Sequence, residues 1–272
     1  MISRLKKMPE AYKLPHRLMG RCIIFNQWQF DPGLKLRNRN GTGSDVRALQ
    51  ATWQRHGLEV VVHDDLSYEQ IMRVLEDEAN SPSRERENLL VVCKLSHGYQ
   101  DHVYARDRSY RLAELSQWFT GDRCPGMAGK PKIFLVQACQ GPNRDPGVEE
   151  PLGLALLAQP QEVGVDEEVV DQVDQDGPDP LPAIHPTIPT NSDMLMAMSS
   201  VAGCVSFRGR DGSVFMQTFC AAMRILAWDL DFLAILTIVN GLVADELFGQ
   251  SGSKQSPSVT RSCEYFLTCQ RS

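Results

Sequence analysis

Apolar residues fall along this chain in short blocks with two alternating periods. Cys22-Ile23-Ile24-Phe25 is a continuous apolar run, the pattern of a short strand buried on both faces. Leu58 to Val62, Leu89 to Leu95 and Lys132 to Ala138 predict further strands of the same kind. Between them the spacing changes. Val46, Leu49 and Trp53 recur at helical intervals after Thr42-Gly43-Ser44-Asp45, which predicts a capping box. Ser67 with Gln70 predicts a second box, opening a helix with Ile71, Val74 and Leu75 on one face, and Leu112 to Phe119 predicts a short helix. Further on, Ser213 to Trp228 and Asp231 to Leu247 read as helices, Gly249 to Pro257 as a loop, and Val259 to Thr268 as a terminal strand. Strands alternating with helices imply an α/β fold with a mostly parallel sheet covered on both faces.

Composition adds limits. The chain has 272 residues, 42% hydrophobic and 23% charged, which is ordinary for a globular protein. It has no apolar run of about eighteen residues, so no membrane span is expected. Met1 to Leu14 lacks the continuous apolar core of a secretory signal. The eight cysteines contain no C-x-x-C pair, which argues against a zinc site and a dense disulfide framework, and for reduced thiols in the cytoplasm.

The formal charge of −6 is unevenly spread. Residues 142–190 hold eleven Asp/Glu and a single basic residue, Arg144, leaving the rest of the chain mildly basic. That proline-rich, acidic segment cannot bury enough apolar surface to offset its ordering entropy, and reads as a flexible linker. A basic body suits an acidic peptide ligand. The basic residues form no single dense cluster, so nucleic acid is not expected as a partner.

The chemistry gathers at two strand ends. One apolar strand stops at Leu95-Ser96-His97-Gly98, another at Val136-Gln137-Ala138-Cys139-Gln140-Gly141. Open α/β sheets bind ligands beyond the carboxyl ends of their strands, where a thiol and an imidazole can meet. A thiolate is the reactive form of cysteine, and a neighbouring imidazole is the usual means of using it near neutral pH.

The pentapeptide Gln137-Ala138-Cys139-Gln140-Gly141, with His97 upstream of it, resembles the signature of the caspase family. The resemblance extends to Arg39-Asn40-Gly41-Thr42 followed by Asp45 and Leu49, and to Val91 through Gly98. It continues in Gly121-Asp122-Arg123-Cys124, Gly129-Lys130-Pro131-Lys132, Ser206-Phe207-Arg208 and Asp211-Gly212-Ser213. It implies a six-stranded sheet flanked by helices, no cofactor or metal, and cleavage of protein substrates after aspartate. It also implies roles. Cys139 is the nucleophile and His97 its acid/base partner. The N–H groups of Gly98 and Cys139 form the oxyanion hole, and the Arg37 carbonyl orients the imidazole. Arg39, Gln137 and Arg208 hold the substrate aspartate, with Val205, Ser206 and Phe207 lining neighbouring subsites.

The resemblance further implies a short prodomain at 1–20, a large subunit at 21–141, the linker at 142–190, and a small subunit at 191–272. Asp174 and Asp176 are the expected processing sites, and a homodimer or heterodimer the expected assembly, paired through the last strand. Cys204 to Arg208, Gln140 and His63-Asp64-Asp65 look most like apical, death-effector-type caspases of the Dredd-like group, which implies apoptosis or innate immune signalling. Three departures stand out: Lys94 in the histidine strand, Tyr99-Gln100 after the catalytic glycine, and Pro142 after the cysteine motif. They leave a second reading open, a weakly active homologue that regulates another caspase by pairing with it.

Overall fold

A computed structural model of the chain describes residues 12–14, 18–147, 189–248, 252–262 and 267–269. Asp174, Asp176 and most of the expected linker and prodomain lie outside these residues. The central sheet has six strands: β1 Gly20–Asn26, β2 Glu59–Asp64, β3 Leu89–Leu95, β4 Lys132–Gln137, β5 Met194–Met198 and β6 Ser258–Arg261. Their spatial order is β6-β5-β4-β3-β1-β2. All neighbours run parallel except β6, which is antiparallel to β5 and forms one edge.

Alternation along the strands divides the core. Cys22, Ile24, Val91, Cys93, Leu95, Ile133 and Leu135 face one side. There they meet α1 Thr42–Arg55, α4 Val214–Leu226 and α5 Phe232–Asp245. Ile23, Phe25, Leu90, Val92, Phe134 and Val136 face the other, against α2 Tyr68–Ala79 and α3, the single turn Ala113–Ser116. Burial of such aliphatic and aromatic side chains, each contributing roughly 1.5–3 kcal/mol, is what holds the two layers to the sheet. Among the described residues no helix is long and apolar enough to cross a membrane.

The two capping expectations came out differently. At α2 the box forms in full: Ser67 Oγ accepts from the Gln70 N–H, and Gln70 Oε1 accepts from the Ser67 N–H at 2.9 Å. At α1 it does not. The cap is Gly41 at φ 88° with no side-chain hydrogen bond. Thr42 instead accepts from Arg39 Nη1 and donates to Asn26 Oδ1, while Asp45 accepts from the Ser213 N–H and from Gln217 Nε2. Tertiary partners outbid the local cap. Gly41 is needed on two counts: its φ is in the left-handed region, and a Cβ there would lie 2.1 Å from the Gly209 carbonyl oxygen.

Helix bounds shift by a residue or two, as fraying ends do. The expected terminal strand, Val259 to Thr268, is two strands: β6, and Leu267–Cys269, which pairs in parallel with Tyr12–Leu14.

Lys94 is fully buried on β3, and its Nζ has no hydrogen-bond partner among the described residues. It lies 5.4 Å from the centroid of the Tyr110 ring, whose hydroxyl is also unpartnered. Burial, and then the charge of Arg39, hold its amine well below the ordinary lysine value.

Candidate active site

Strand register brings the two catalytic candidates together. Leu95 on β3 is paired with Gln137 on β4, and the Ser96 N–H donates to the Gln137 carbonyl at 3.1 Å. Two residues beyond each partner stand His97 and Cys139, at the carboxyl ends of adjacent parallel strands. Both line one cleft of about 210 Å³, with Gln137, Ser206, Phe207 and Arg208. A larger groove of about 630 Å³, over Met194, Met196 and Met198, contains neither group.

Gly98 makes the approach possible. A Cβ at this position would lie 2.6 Å from the His102 carbonyl oxygen and 2.8 Å from that of Cys139. Beyond Cys139 the chain is clamped by bonds from Gln140 N–H to the Cys204 carbonyl (2.8 Å) and from Gly203 N–H to the Gln140 carbonyl (2.9 Å). Val205 N–H donates to Asn143, so the strap carrying Val205 and Ser206 is held against the cysteine turn. Val205 itself is not on the cleft wall.

The His97 ring is fixed on one side by Nε2, 2.8 Å from the Arg37 carbonyl oxygen. A carbonyl only accepts, so Nε2 carries a proton and Nδ1 is the nitrogen left to exchange one. Phe30 packs on the ring at 5.0 Å between centroids. Burial is the main cause that pulls the imidazole below its ordinary value; the Arg39 and Arg208 charges add to it, and the Arg37 carbonyl opposes it. The ring is therefore neutral at pH 7. Cys139 Sγ accepts from the Ser206 N–H at 3.3 Å and lies 3.7 Å from the Ser206 carbonyl; it makes no hydrogen bond to the imidazole. The Cys139 N–H closes no hydrogen bond among the described residues.

Two guanidinium groups stand by this cleft without a carboxylate at ion-pair distance among the described residues. Arg39 is fully buried; its Nη1 donates to the Gln27 carbonyl and to Thr42 Oγ1, while Nε and Nη2 have no partner. Burial, and then Arg208, push it down to about 9, so it keeps its charge at neutral pH. Arg208 Nε donates to the Asn40 carbonyl at 3.0 Å. Gln137 gives Nε2 to Ser206 Oγ at 2.6 Å and keeps Oε1 free. Unsatisfied buried donors on a cation are costly unless an anion arrives to meet them.

Several supporting residues carried no sequence signal. Phe30 and Asn40 sit in loops without periodicity. Gln255 accepts from the Phe207 N–H at 2.7 Å and donates to the Ser199 carbonyl, and Phe248 stacks on Phe207 at 4.4 Å. Asp45 was legible only as part of a motif; its task, holding Ser213 at the base of the turn after Arg208, depends on a contact far along the chain.

Residues 19–266 match the family model of the Caspase domain. The chain is 32% identical to Caspase-3 of Felis catus over 93% of its own length and 84% of that protein. It is 34% identical to Caspase drICE of Drosophila melanogaster over 86% of its own length and 62% of that protein. Its fold superposes on the crystal structure of Caspase-1 from Spodoptera frugiperda with a TM-score of 0.80, at 30% identity, covering 97% of this chain and 94% of that one. The chain is thus a cysteine-type endopeptidase, a hydrolase built on an α/β sheet. It belongs to the caspase family. These relatives do not single out the apical, Dredd-like branch.

Proposed function

We propose that this chain cleaves peptide bonds after aspartate, with Cys139 as nucleophile and His97 as acid/base. The observation that carries the specificity is the pair Arg39 and Arg208: two cations without a carboxylate partner, one of them buried with unused donors, beside the cleft that contains the thiol. A guanidinium pairs bidentately with a carboxylate, and a neutral side chain cannot repay its desolvation.

The steps follow from the groups present. The thiol of Cys139 gives its proton to His97 and attacks the scissile carbonyl. The oxyanion is met by the N–H groups of Gly98 and Cys139, each such donor supplying a few kcal/mol. His97 then protonates the leaving amine as the thioester forms, and later takes a proton from the water that hydrolyses it. Neutral His97 suits the first transfer. A bound aspartate offsets the two arginine charges and favours the imidazolium needed for the second.

Several expectations belong to the same reading: cleavage at Asp174 or Asp176, separating a large from a small subunit; pairing of two protomers through the β6 edge, where a sheet offers unpaired backbone groups; a cytoplasmic setting; and a role in apoptosis or immune signalling.

Hydrolysis of acetyl-Ile-Glu-Thr-Asp and acetyl-Asp-Glu-Val-Asp fluorogenic peptides tests the proposal. Turnover by the wild type, lost in Cys139→Ala, supports it. Absence of turnover alone, with enhanced turnover by an added caspase, assigns the chain to the regulatory alternative. Mass spectrometry of the purified protein reports processing at Asp174 or Asp176.

A further inference from the structure

A second cavity, also about 210 Å³, lies on the helical face between α1 and α4. Each helix gives it a stripe at helical spacing: Ala51, Thr52 and Arg55 from α1, and Gln217, Ala221 and Arg224 from α4. The alanines open the gap between the helices, and an exposed arginine of each helix lines it. Both arginines are exposed, and neither has a carboxylate within ion-pair distance among the described residues. No acidic residue lines the cavity. Cys220 lines it too, and burial pushes this thiol up to about 12, so it adds no negative charge at neutral pH.

The second observation is His56. It is only 4% exposed, lines the same cavity, and has no hydrogen-bond partner of normal geometry on either ring nitrogen. Burial, and then Arg55, hold the ring below its ordinary value; the Met223 carbonyl, which accepts from the ring, opposes them. Trp228 and Trp53 pack around it, at 5.4 Å and 6.5 Å between ring centroids. An unsatisfied buried imidazole is costly by itself. Each arginine sits in the last turn of its helix, where a cation offsets the partial negative charge of the terminus. That accounts for their sign. It does not account for their both lining one cavity that also contains a buried imidazole.

We infer that this cavity binds a small polyphosphate anion, gripped by the guanidinium forks of Arg55 and Arg224 beside the buried ring of His56. The planar fork matches phosphate oxygens two at a time, and two forks favour an anion with two phosphoryl groups over one. The site is separate from the catalytic cleft, with which it shares no lining residue. A physical link runs between them: Gln217, on the cavity wall, donates to Asp45, which also accepts from the Ser213 N–H beyond the Arg208 turn.

Calorimetric titration of the full chain with inorganic pyrophosphate at low salt and neutral pH tests the inference, with succinate as the dicarboxylate probe. The expected result is saturable pyrophosphate binding, weakened at least tenfold in Arg55→Gln and in Arg224→Gln, lost in the double variant and unchanged in Arg208→Gln. The His56 ring nitrogen resonances should shift during the titration. Three results overturn it: no pyrophosphate binding by the wild type; equal affinity for succinate; or binding that survives the double variant and disappears in Arg208→Gln, which would put the anion in the catalytic cleft.

Discussion

Arg39 and Lys94 are both cationic residue types, both fully buried, and both without an ion pair among the described residues, yet only one of them finds hydrogen-bond acceptors. Arg39 donates to the Gln27 carbonyl and to Thr42, and keeps its charge at neutral pH. Lys94, in mid-sheet beneath Tyr110, donates to nothing among the described residues, and burial holds its amine well below the ordinary lysine value. The guanidinium spreads its charge over five donors, so two can be satisfied internally while others stay unpaired. The ammonium is a compact, strongly hydrated charge, and with no partner it sheds its proton. A buried cation is therefore a candidate for a ligand site only where it stays charged with donors unused.

Substitution at Arg39 puts the largest strain on this contrast. Arg39→Gln should lower kcat/KM for aspartate peptides at least about 100-fold, the scale of a lost bidentate charge-assisted pair in a desolvated site. Stability should change little, since the loss of two hydrogen bonds is offset by removal of a desolvated charge. A large fall in Tm with activity retained would make Arg39 a structural residue.

Lys94→Met should do the reverse, raising stability and leaving specificity alone. The sign follows from linkage. Folding lowers the lysine pKa, so below the ordinary value of 10.5 the unfolded chain binds more protons than the folded one. Lys94 therefore destabilises the fold at neutral pH, and the penalty fades as pH rises toward 10.5. The gain, measured by denaturant unfolding at pH 7, should shrink at pH 10. An unchanged stability would mean that Lys94 finds a partner when protonated.

Ser67→Ala, far from both cations, sets the scale of a purely local contribution: about 1 kcal/mol of stability for the lost capping box, with activity unaffected. The smallest expected effect is on pH dependence. The acid limb of kcat/KM should lie below 6.5, because burial and the two arginines depress His97. In Arg208→Gln, measured at saturating enzyme to offset weaker binding, that limb should move up toward 6.5.

Much of this arrangement was legible in the chain. Continuous apolar runs gave β1, β3 and β4, because strands buried on both faces have no polar side to show; β5, buried only at alternate residues, was not predicted. The Ser67 box formed because nothing else competes for Ser67 and Gln70. The box at Thr42 failed because Arg39, Asn26 and Ser213 claim its side chains, and those partners come from other parts of the chain. Cys139 and His97 were legible as strand ends in a family pattern. Phe30, Asn40, Phe248 and Gln255 were not, since a loop residue acquires its role only when folding brings it to a distant partner. Lys94 was visible as an anomaly, but its depressed basicity comes from burial and from Arg39, which only the fold brings near.

The claim that two unpaired guanidinium groups wait for a carboxylate is tested most directly by a pair of peptides that differ in one atom group. Wild-type kcat/KM should be compared for acetyl-Ile-Glu-Thr-Asp and its Asn counterpart, isosteric but uncharged. The account predicts a preference for aspartate of at least about 1000-fold, the scale on which a site built for a polar partner rejects its uncharged analogue. Comparable turnover of the two would contradict it.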